Sequence, residues 1–115
     1  MELIYTTRFK ADLEYYIDKC GYKKIIDDID PALYEIGQGN RPGTKLDNRS
    51  LKGIDVYKVG VPNSSANVGK SGGFRIVYYT AGNEKAYLLT LYSKKDSENI
   101  PGDSELMYWC ESSLK

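Results

Sequence analysis

One basic stretch of the sequence combines residue types that suit phosphate recognition. It runs from Lys70 to Tyr79 and reads KSGGFRIVYY, a glycine-containing loop followed by an alternating strand. Paired glycines allow a positive φ or a close approach to another part of the chain. The period-2 pattern places Arg75 and Phe74 on opposite faces of the strand. An arginine held on a strand presents a planar fork of N–H donors that matches a phosphate, so this arrangement suits phosphate recognition better than core packing.

Other basic side chains are predicted close to Arg75. Lys58 lies on the preceding strand, and Lys94 and Lys95 end the following one. If these strands are sequential antiparallel neighbours, the cations converge on one region of the sheet, where they would stabilise the charge that develops when a phosphodiester is cleaved. RNA supplies its own nucleophile, the 2′-hydroxyl, so the protein need only orient it and assist proton transfer. The alternative is that Arg75 pairs with an acid and the lysines keep a sheet edge soluble.

The charge distribution favours a polyanionic partner. The chain has 115 residues and a formal net charge of zero. Residues 41–95 carry ten basic and three acidic residues, a net charge of +7, whereas the segments before and after carry −3 and −4. Such asymmetry indicates one basic face, although the charges could also average out in space.

Several kinds of catalytic site are excluded by composition. The chain has no histidine, so Ser/His/Asp and Cys/His catalysis and histidine-based zinc sites are absent. The segment Gly69-Lys70-Ser71 resembles the end of a P-loop, but the required first glycine is Ser64 and a strand follows instead of a helix. We therefore expect neither a metal nor a cofactor.

The sequence also bears on compartment. Residues 1–5 show no basic or apolar signal-peptide region, and no apolar run reaches the ~20 residues that span a bilayer. Cys20 and Cys110 are far apart in the sequence and form no CxxC motif. We expect a cytosolic protein with two free, packed thiols and no membrane partner.

Apolar spacing predicts the elements that position these side chains. A short strand over residues 2–5 precedes a helix capped by Thr6 or Thr7. A second helical pattern runs from Ile25 to Ile36, with a kink or a fresh start at Pro31.

The second half of the chain has strand patterns. Residues 37–53 form a polar connection, and strand patterns follow at 54–61, 74–79 and 86–93, with a hairpin turn over 81–84. Asp103 or Ser104 can cap a short final helix. The order predicts a single α+β domain over residues 1–115. Its antiparallel sheet has about four strands, and two N-terminal helices and a short C-terminal helix lie against one face.

At these residues the sequence resembles the RelE/HigB-like toxins of bacterial type II toxin–antitoxin systems. The resemblance is carried by GKSGGFRIVYY over residues 69–79, by YLLTLYSKK over residues 87–95 and by the acidic tail near Glu105, with weaker similarity at residues 51–53 and 56–59. It implies a RelE-like fold and a small cytosolic ribonuclease that cuts mRNA while it is translated on the ribosome. It also implies inhibition by a cognate antitoxin, often a helix-turn-helix protein.

The resemblance also implies roles for individual residues. Arg75 would contact the scissile phosphate, Lys94 or Lys95 would act as acid or phosphate clamp, and Lys58 would occupy a basic position on its strand. The catalytic candidates are thus Arg75, Lys58 and Lys94; the RNA-binding candidates are Lys52, Lys70, Tyr79 and Lys95. The chain departs from the family in its neutral charge, in Gly60 where an arginine is common, and in the tail, where no tyrosine follows Lys95 until Tyr108. Tyr92 or Tyr79 would have to substitute as the base.

Two alternatives belong to other functional classes. One is a ParE-like gyrase-inhibiting toxin with the same fold, against which the cations on adjacent strands argue. The other is a degenerate, non-catalytic toxin that still binds its antitoxin.

Overall fold

Most helices and strands form where the apolar spacing predicts them. The computed structural model describes residues 1–46, 53–95 and 100–113. In these ranges the helices are α1 (Thr7–Asp18), α2 (Ile25–Gly37) and α3 (Asp103–Ser113). The strands are β1 (Glu2–Tyr5), β2 (Thr44–Lys45), β3 (Ile54–Val61), β4 (Phe74–Ala81) and β5 (Lys85–Ser93).

The predicted helix signals are confirmed with one refinement. Thr6 caps α1, since its side-chain oxygen accepts a hydrogen bond from the Phe9 N–H at 3.3 Å. Helix α2 runs without a break through Pro31, so that residue neither restarts nor ends it. Proline removes one hydrogen bond, and the buried side chains of Ile25, Ile29 and Ile36 hold α2 against the sheet on both sides of that position.

The sheet is mixed and has five strands in the described residues, which corrects the prediction of about four antiparallel strands. Its order is β1-β5-β4-β3-β2. Strand β1 pairs in parallel with β5, and the other neighbours are antiparallel. The reason is long-range: Glu2 N–H donates to the Glu84 carbonyl at 2.8 Å, and Thr6 N–H donates to the Leu88 carbonyl at 3.3 Å. A four-residue strand carries no local signal for so distant a partner.

The two N-terminal helices share one face of the sheet, as predicted, but the C-terminal helix covers the opposite face, which corrects the prediction that all helices lie against one face. Helices α1 and α2 pack on the face that carries Phe74, Ile76 and Tyr78. Helix α3 packs on the opposite face, where its Leu106 and Cys110 join a second cluster with Val56, Val77, Tyr79 and Leu89. Strands with apolar side chains on both faces require cover on both sides.

The structure also bears on the predictions about the two cysteines and about membrane-spanning segments. Neither Cys20 nor Cys110 is joined in a disulfide in the described residues, which agrees with the prediction of reduced thiols. Burial raises the pKa of Cys110 to about 11, so its thiol stays protonated at neutral pH. In the part of the chain that the structure describes, no helix has the length and apolar character to cross a bilayer.

Candidate functional site

Strand pairing brings the predicted catalytic cations to one end of the sheet. Arg75 lies opposite Gly60 of β3 on one side and opposite Tyr92 of β5 on the other. Lys58 is two residues before Gly60 and therefore projects from the same face of β3. These residues border an open groove of about 470 Å³, which we call the cationic groove; it is lined by Gly43, Thr44, Lys58, Gly60, Lys70, Ser71 and Arg75.

The guanidinium of Arg75 is anchored to the loop of residues 69–73, which we call the glycine loop. Its Nη1 donates to the carbonyl oxygens of Lys70 at 2.7 Å and Phe74 at 3.2 Å, and its Nη2 donates to that of Ser71 at 3.1 Å. An arginine has more N–H donors than these bonds use. Arg75 thus holds the loop in place and retains donors for a ligand in the groove.

Lys94 contacts the same loop. Its Nζ donates to the Ser71 carbonyl at 3.1 Å, the oxygen that also accepts from Arg75. Because Arg75 Nη2 and Lys94 Nζ both donate to this oxygen, these two nitrogens are separated by at most twice 3.1 Å.

Gly73 allows the glycine loop to approach strand β3 closely, because a Cβ at that position would lie 2.3 Å from the Val61 carbonyl oxygen. Of the two roles that the sequence suggests for the paired glycines, the structure shows close approach to another part of the chain and not a positive φ, since neither Gly72 nor Gly73 has one.

Gly60 makes room for the Arg75 side chain. A Cβ on Gly60 would lie 2.8 Å from Arg75 Nη1 and 3.0 Å from the Lys70 carbonyl oxygen. The guanidinium therefore lies over Gly60. The resemblance leads us to expect an arginine at position 60, and Arg75 supplies a positive charge next to that position.

We expect Gly60→Ala to displace the Arg75 guanidinium and to reduce the RNA cleavage that the resemblance implies by about 10- to 100-fold, because a displacement of roughly 1 Å can cost that much in rate. Stability should fall only modestly, since the nearest atom is the end of a flexible side chain, although the bonds of Arg75 to the glycine loop and the Lys70 carbonyl at 3.0 Å must also adjust. Cleavage assays and thermal melts measure both effects. Gly37→Ala is the matched control, since a Cβ there meets nothing within 4 Å. Equal activity of the two variants would contradict this role for Gly60.

Lys58 is paired with an acid from helix α3. Its Nζ lies 3.0 Å from Asp103 Oδ1, and both side chains are partly exposed. Asp103 therefore places a carboxylate beside the cationic groove and neutralises one of the cations that could attract an anionic ligand.

We expect Asp103→Asn to tighten the binding of single-stranded RNA by about two- to fivefold, because an exposed ion pair is worth up to ~1 kcal/mol. Fluorescence anisotropy with a labelled oligonucleotide at fixed salt measures the affinity. Glu105→Gln removes the same charge from an exposed position on the same helix and is the matched control. If both variants bind RNA more tightly by the same factor, Asp103 has no specific effect.

Tyr92 joins these residues from strand β5. It is 7% exposed and lies opposite Arg75. Burial raises the pKa of Tyr92, while the positive charges of Lys58 and Arg75 act to lower it. Its hydroxyl therefore stays protonated at neutral pH, beside two cations.

The other predicted site residues have different locations. Lys70 lines the cationic groove, whereas Lys95 is exposed after β5 and is not among the lining residues. Tyr79 is 1% exposed and its hydroxyl shares a hydrogen bond of 2.7 Å with Ser113 of α3, so it does not reach the groove. Lys52 lies outside the described residues.

Sequence reasoning missed two features of this site. Asp103 was expected only as a helix cap, and the sequence offers no signal for its pairing with Lys58 across 45 positions. The space that Gly60 leaves for Arg75 depends on the β3–β4 register, which becomes visible only in the folded sheet.

Comparison with known proteins does not identify the chain: no protein-family model matches its sequence, and no curated protein matches it. The described residues also contain no cluster of three or more His, Cys, Asp or Glu placed to hold a metal ion. Function is therefore inferred from the side chains at the cationic groove and from the motif resemblance.

Proposed function

We propose that this protein is the toxin of a type II toxin–antitoxin system and acts in the cytoplasm as a metal-independent, ribosome-dependent mRNA endonuclease. Its partners would be mRNA on the ribosome and a cognate antitoxin, a helix-turn-helix protein. The observation that carries the proposal is the convergence of Arg75, Lys58, Lys70 and Lys94 at one end of the sheet. Several cations around an open groove suit a chain of phosphates better than a single small anion.

The geometry supports a division of roles in the proposed reaction. The scissile phosphate would lie against the remaining donors of Arg75 and against Lys94. The RNA 2′-hydroxyl gives its proton to a base and attacks phosphorus, the bond from phosphorus to the 5′-oxygen breaks, and that oxygen takes up a proton. The products are a 2′,3′-cyclic phosphate and a 5′-hydroxyl.

Two side chains next to Arg75 suit the other requirements of this reaction. Lys58 would stabilise the negative charge that develops on the phosphoryl oxygens. Burial raises the pKa of Tyr92, so its hydroxyl is protonated at neutral pH; of the two proton-transfer roles it would therefore take that of the donor to the leaving oxygen and not that of the base.

The experiment is to add the purified protein to a translating extract and to map cuts in the mRNA by primer extension. We expect cuts within the translated region that carry 2′,3′-cyclic phosphate ends and that disappear when ribosomes are omitted. Intact mRNA together with inhibited DNA gyrase would instead establish the ParE-like function.

A non-catalytic role is the second candidate, and a specific observation favours it. Arg75 donates to three carbonyl oxygens, and Lys58 is paired with Asp103, so both cations already have partners within the chain. A protein of this kind would form a complex with its antitoxin without being toxic when expressed. Co-expression with the neighbouring gene, followed by a growth assay of each gene alone, separates this role from the catalytic one.

A further inference from the structure

A second cleft adjoins the cationic groove. It lies between helix α2 and the end of strand β3 and has a volume of about 480 Å³, within the ~300–1,000 Å³ of ligand pockets. We call it the α2 cleft. Gly60 and Lys70 line both the cleft and the groove, so the two spaces share a border. Its apolar walls are formed by Pro31, Ala32, Pro42, Val59, Val61 and Pro62.

Helix α2 adds carboxylates to this apolar cleft. Asp28 is already used, because it accepts a hydrogen bond from the Ser64 N–H at 2.9 Å. Glu35 uses one oxygen to accept from Asn40 Nδ2 at 3.1 Å, which leaves its other oxygen available. Asp27 is exposed, and within the described residues its carboxylate accepts no hydrogen bond. Asp27 and Glu35 are therefore free to accept hydrogen bonds from a ligand.

The chemistry of the cleft fits a nucleobase. Apolar walls can contact the faces of a base, whereas a phosphate would be repelled by the two carboxylates. Carboxylates accept hydrogen bonds from exocyclic amino groups, as Asp and Glu do with N4 of cytosine. Uracil has carbonyl oxygens but no amino group, and these oxygens would face the carboxylates unfavourably.

We propose that the α2 cleft receives the base next to the phosphate held at Arg75, and that one of its two available carboxylates, Asp27 or Glu35, accepts from the amino group of that base and so selects it over uracil. This inference rests on the proposed function, since it assumes that RNA occupies the cationic groove. Lys70 connects the two sites because it lines both. The base and the phosphate of one nucleotide lie close together because they are linked through the same ribose. Since the cleft and the groove share a border at Gly60 and Lys70, one nucleotide can contact both.

The first test is an NMR titration of the ¹⁵N-labelled full chain with cytidine 3′-monophosphate and uridine 3′-monophosphate. We expect cytidine monophosphate to change the backbone amide chemical shifts of Val59, Gly60 and Val61. It should bind about tenfold more tightly than uridine monophosphate, as one discriminating contact can provide.

In the double variant Asp27→Asn/Glu35→Gln the new side-chain amides can also donate to uracil, so the difference in affinity between the two nucleotides should fall below about twofold. Asp30→Asn, at an exposed position on the same helix outside the cleft, is the matched control and should keep the tenfold difference.

The second test separates this inference from the proposed function. Cuts mapped in translated mRNA should avoid uridine at one position beside the cut in the wild type, and this avoidance should be lost in the double variant. Unchanged base preference with continued cleavage would overturn the inference and leave the proposed function standing. If no cleavage occurs, the proposed function fails and the NMR titration alone decides on the base site. Equal binding of the two nucleotides would overturn the base site. So would a result in which neither nucleotide shifts the amides at the cleft and a lysine-rich peptide does.

Discussion

Replacing Arg75 with alanine is expected to reduce the proposed RNA cleavage by about 10²–10³-fold, the usual cost of removing one preorganised donor from a developing charge. The substitution removes the guanidinium over Gly60 and also its bonds to the carbonyls of Lys70 and Ser71. Two effects therefore combine: the phosphate loses a donor, and the glycine loop loses its anchor.

Arg75→Lys distinguishes these effects. A lysine keeps the positive charge but lacks the planar fork with which Arg75 reaches the Lys70 and Ser71 carbonyl oxygens while it retains donors for a ligand. We expect an intermediate rate, about tenfold above that of Arg75→Ala, if charge contributes independently of the fork. The measurement is single-turnover cleavage of a defined mRNA in a translating extract.

The controls for Arg75 use the other end of the sheet. Lys85 is an exposed cation at the start of β5, away from the groove, and Lys85→Ala should cleave at the wild-type rate. Circular dichroism of all variants checks that the fold is retained. Wild-type cleavage by Arg75→Ala would eliminate the proposed catalytic site.

Replacing Phe74 with alanine is expected to lower the free energy of unfolding by about 3–5 kcal/mol, the range for a buried aromatic residue. Phe74 is 0% exposed, and its ring makes edge contacts with Tyr16 and Tyr22 at centroid distances of 5.4 and 5.9 Å. The loss is large compared with the ~5–15 kcal/mol that stabilise a typical domain. Chemical denaturation followed by circular dichroism measures it.

Tyr34→Ala is the matched control for Phe74. Tyr34 is 64% exposed on α2, so its truncation should change stability by no more than about 0.5 kcal/mol. A loss below about 1.5 kcal/mol for Phe74→Ala would show that this side chain is less tightly packed than the structure indicates. The two residues Phe74 and Arg75 are adjacent but project from opposite faces, so the first should mainly affect stability and the second mainly affect activity.

Several features of this protein follow from the sequence alone. Period-2 alternation over residues 74–79 correctly places Phe74, Ile76 and Tyr78 on one face and Val77 and Tyr79 on the other, because side chains alternate strictly along a strand. The same local rules locate the cap at Thr6 and the turn at residues 81–84, where Gly82 has a positive φ. The absence of histidine likewise removes whole classes of catalysis without any structure.

The tertiary structure alone decided the arrangement between elements. The parallel pairing of β1 with β5 depends on backbone bonds between distant segments, and the position of α3 depends on an apolar second face of the sheet. The contact between Lys58 and Asp103 and the seat of Arg75 over Gly60 depend in turn on that arrangement. Local patterns are encoded within a few residues, whereas these contacts join residues far apart in the chain. The sequence therefore singled out Arg75 as a candidate, and the fold determined which side chains surround it.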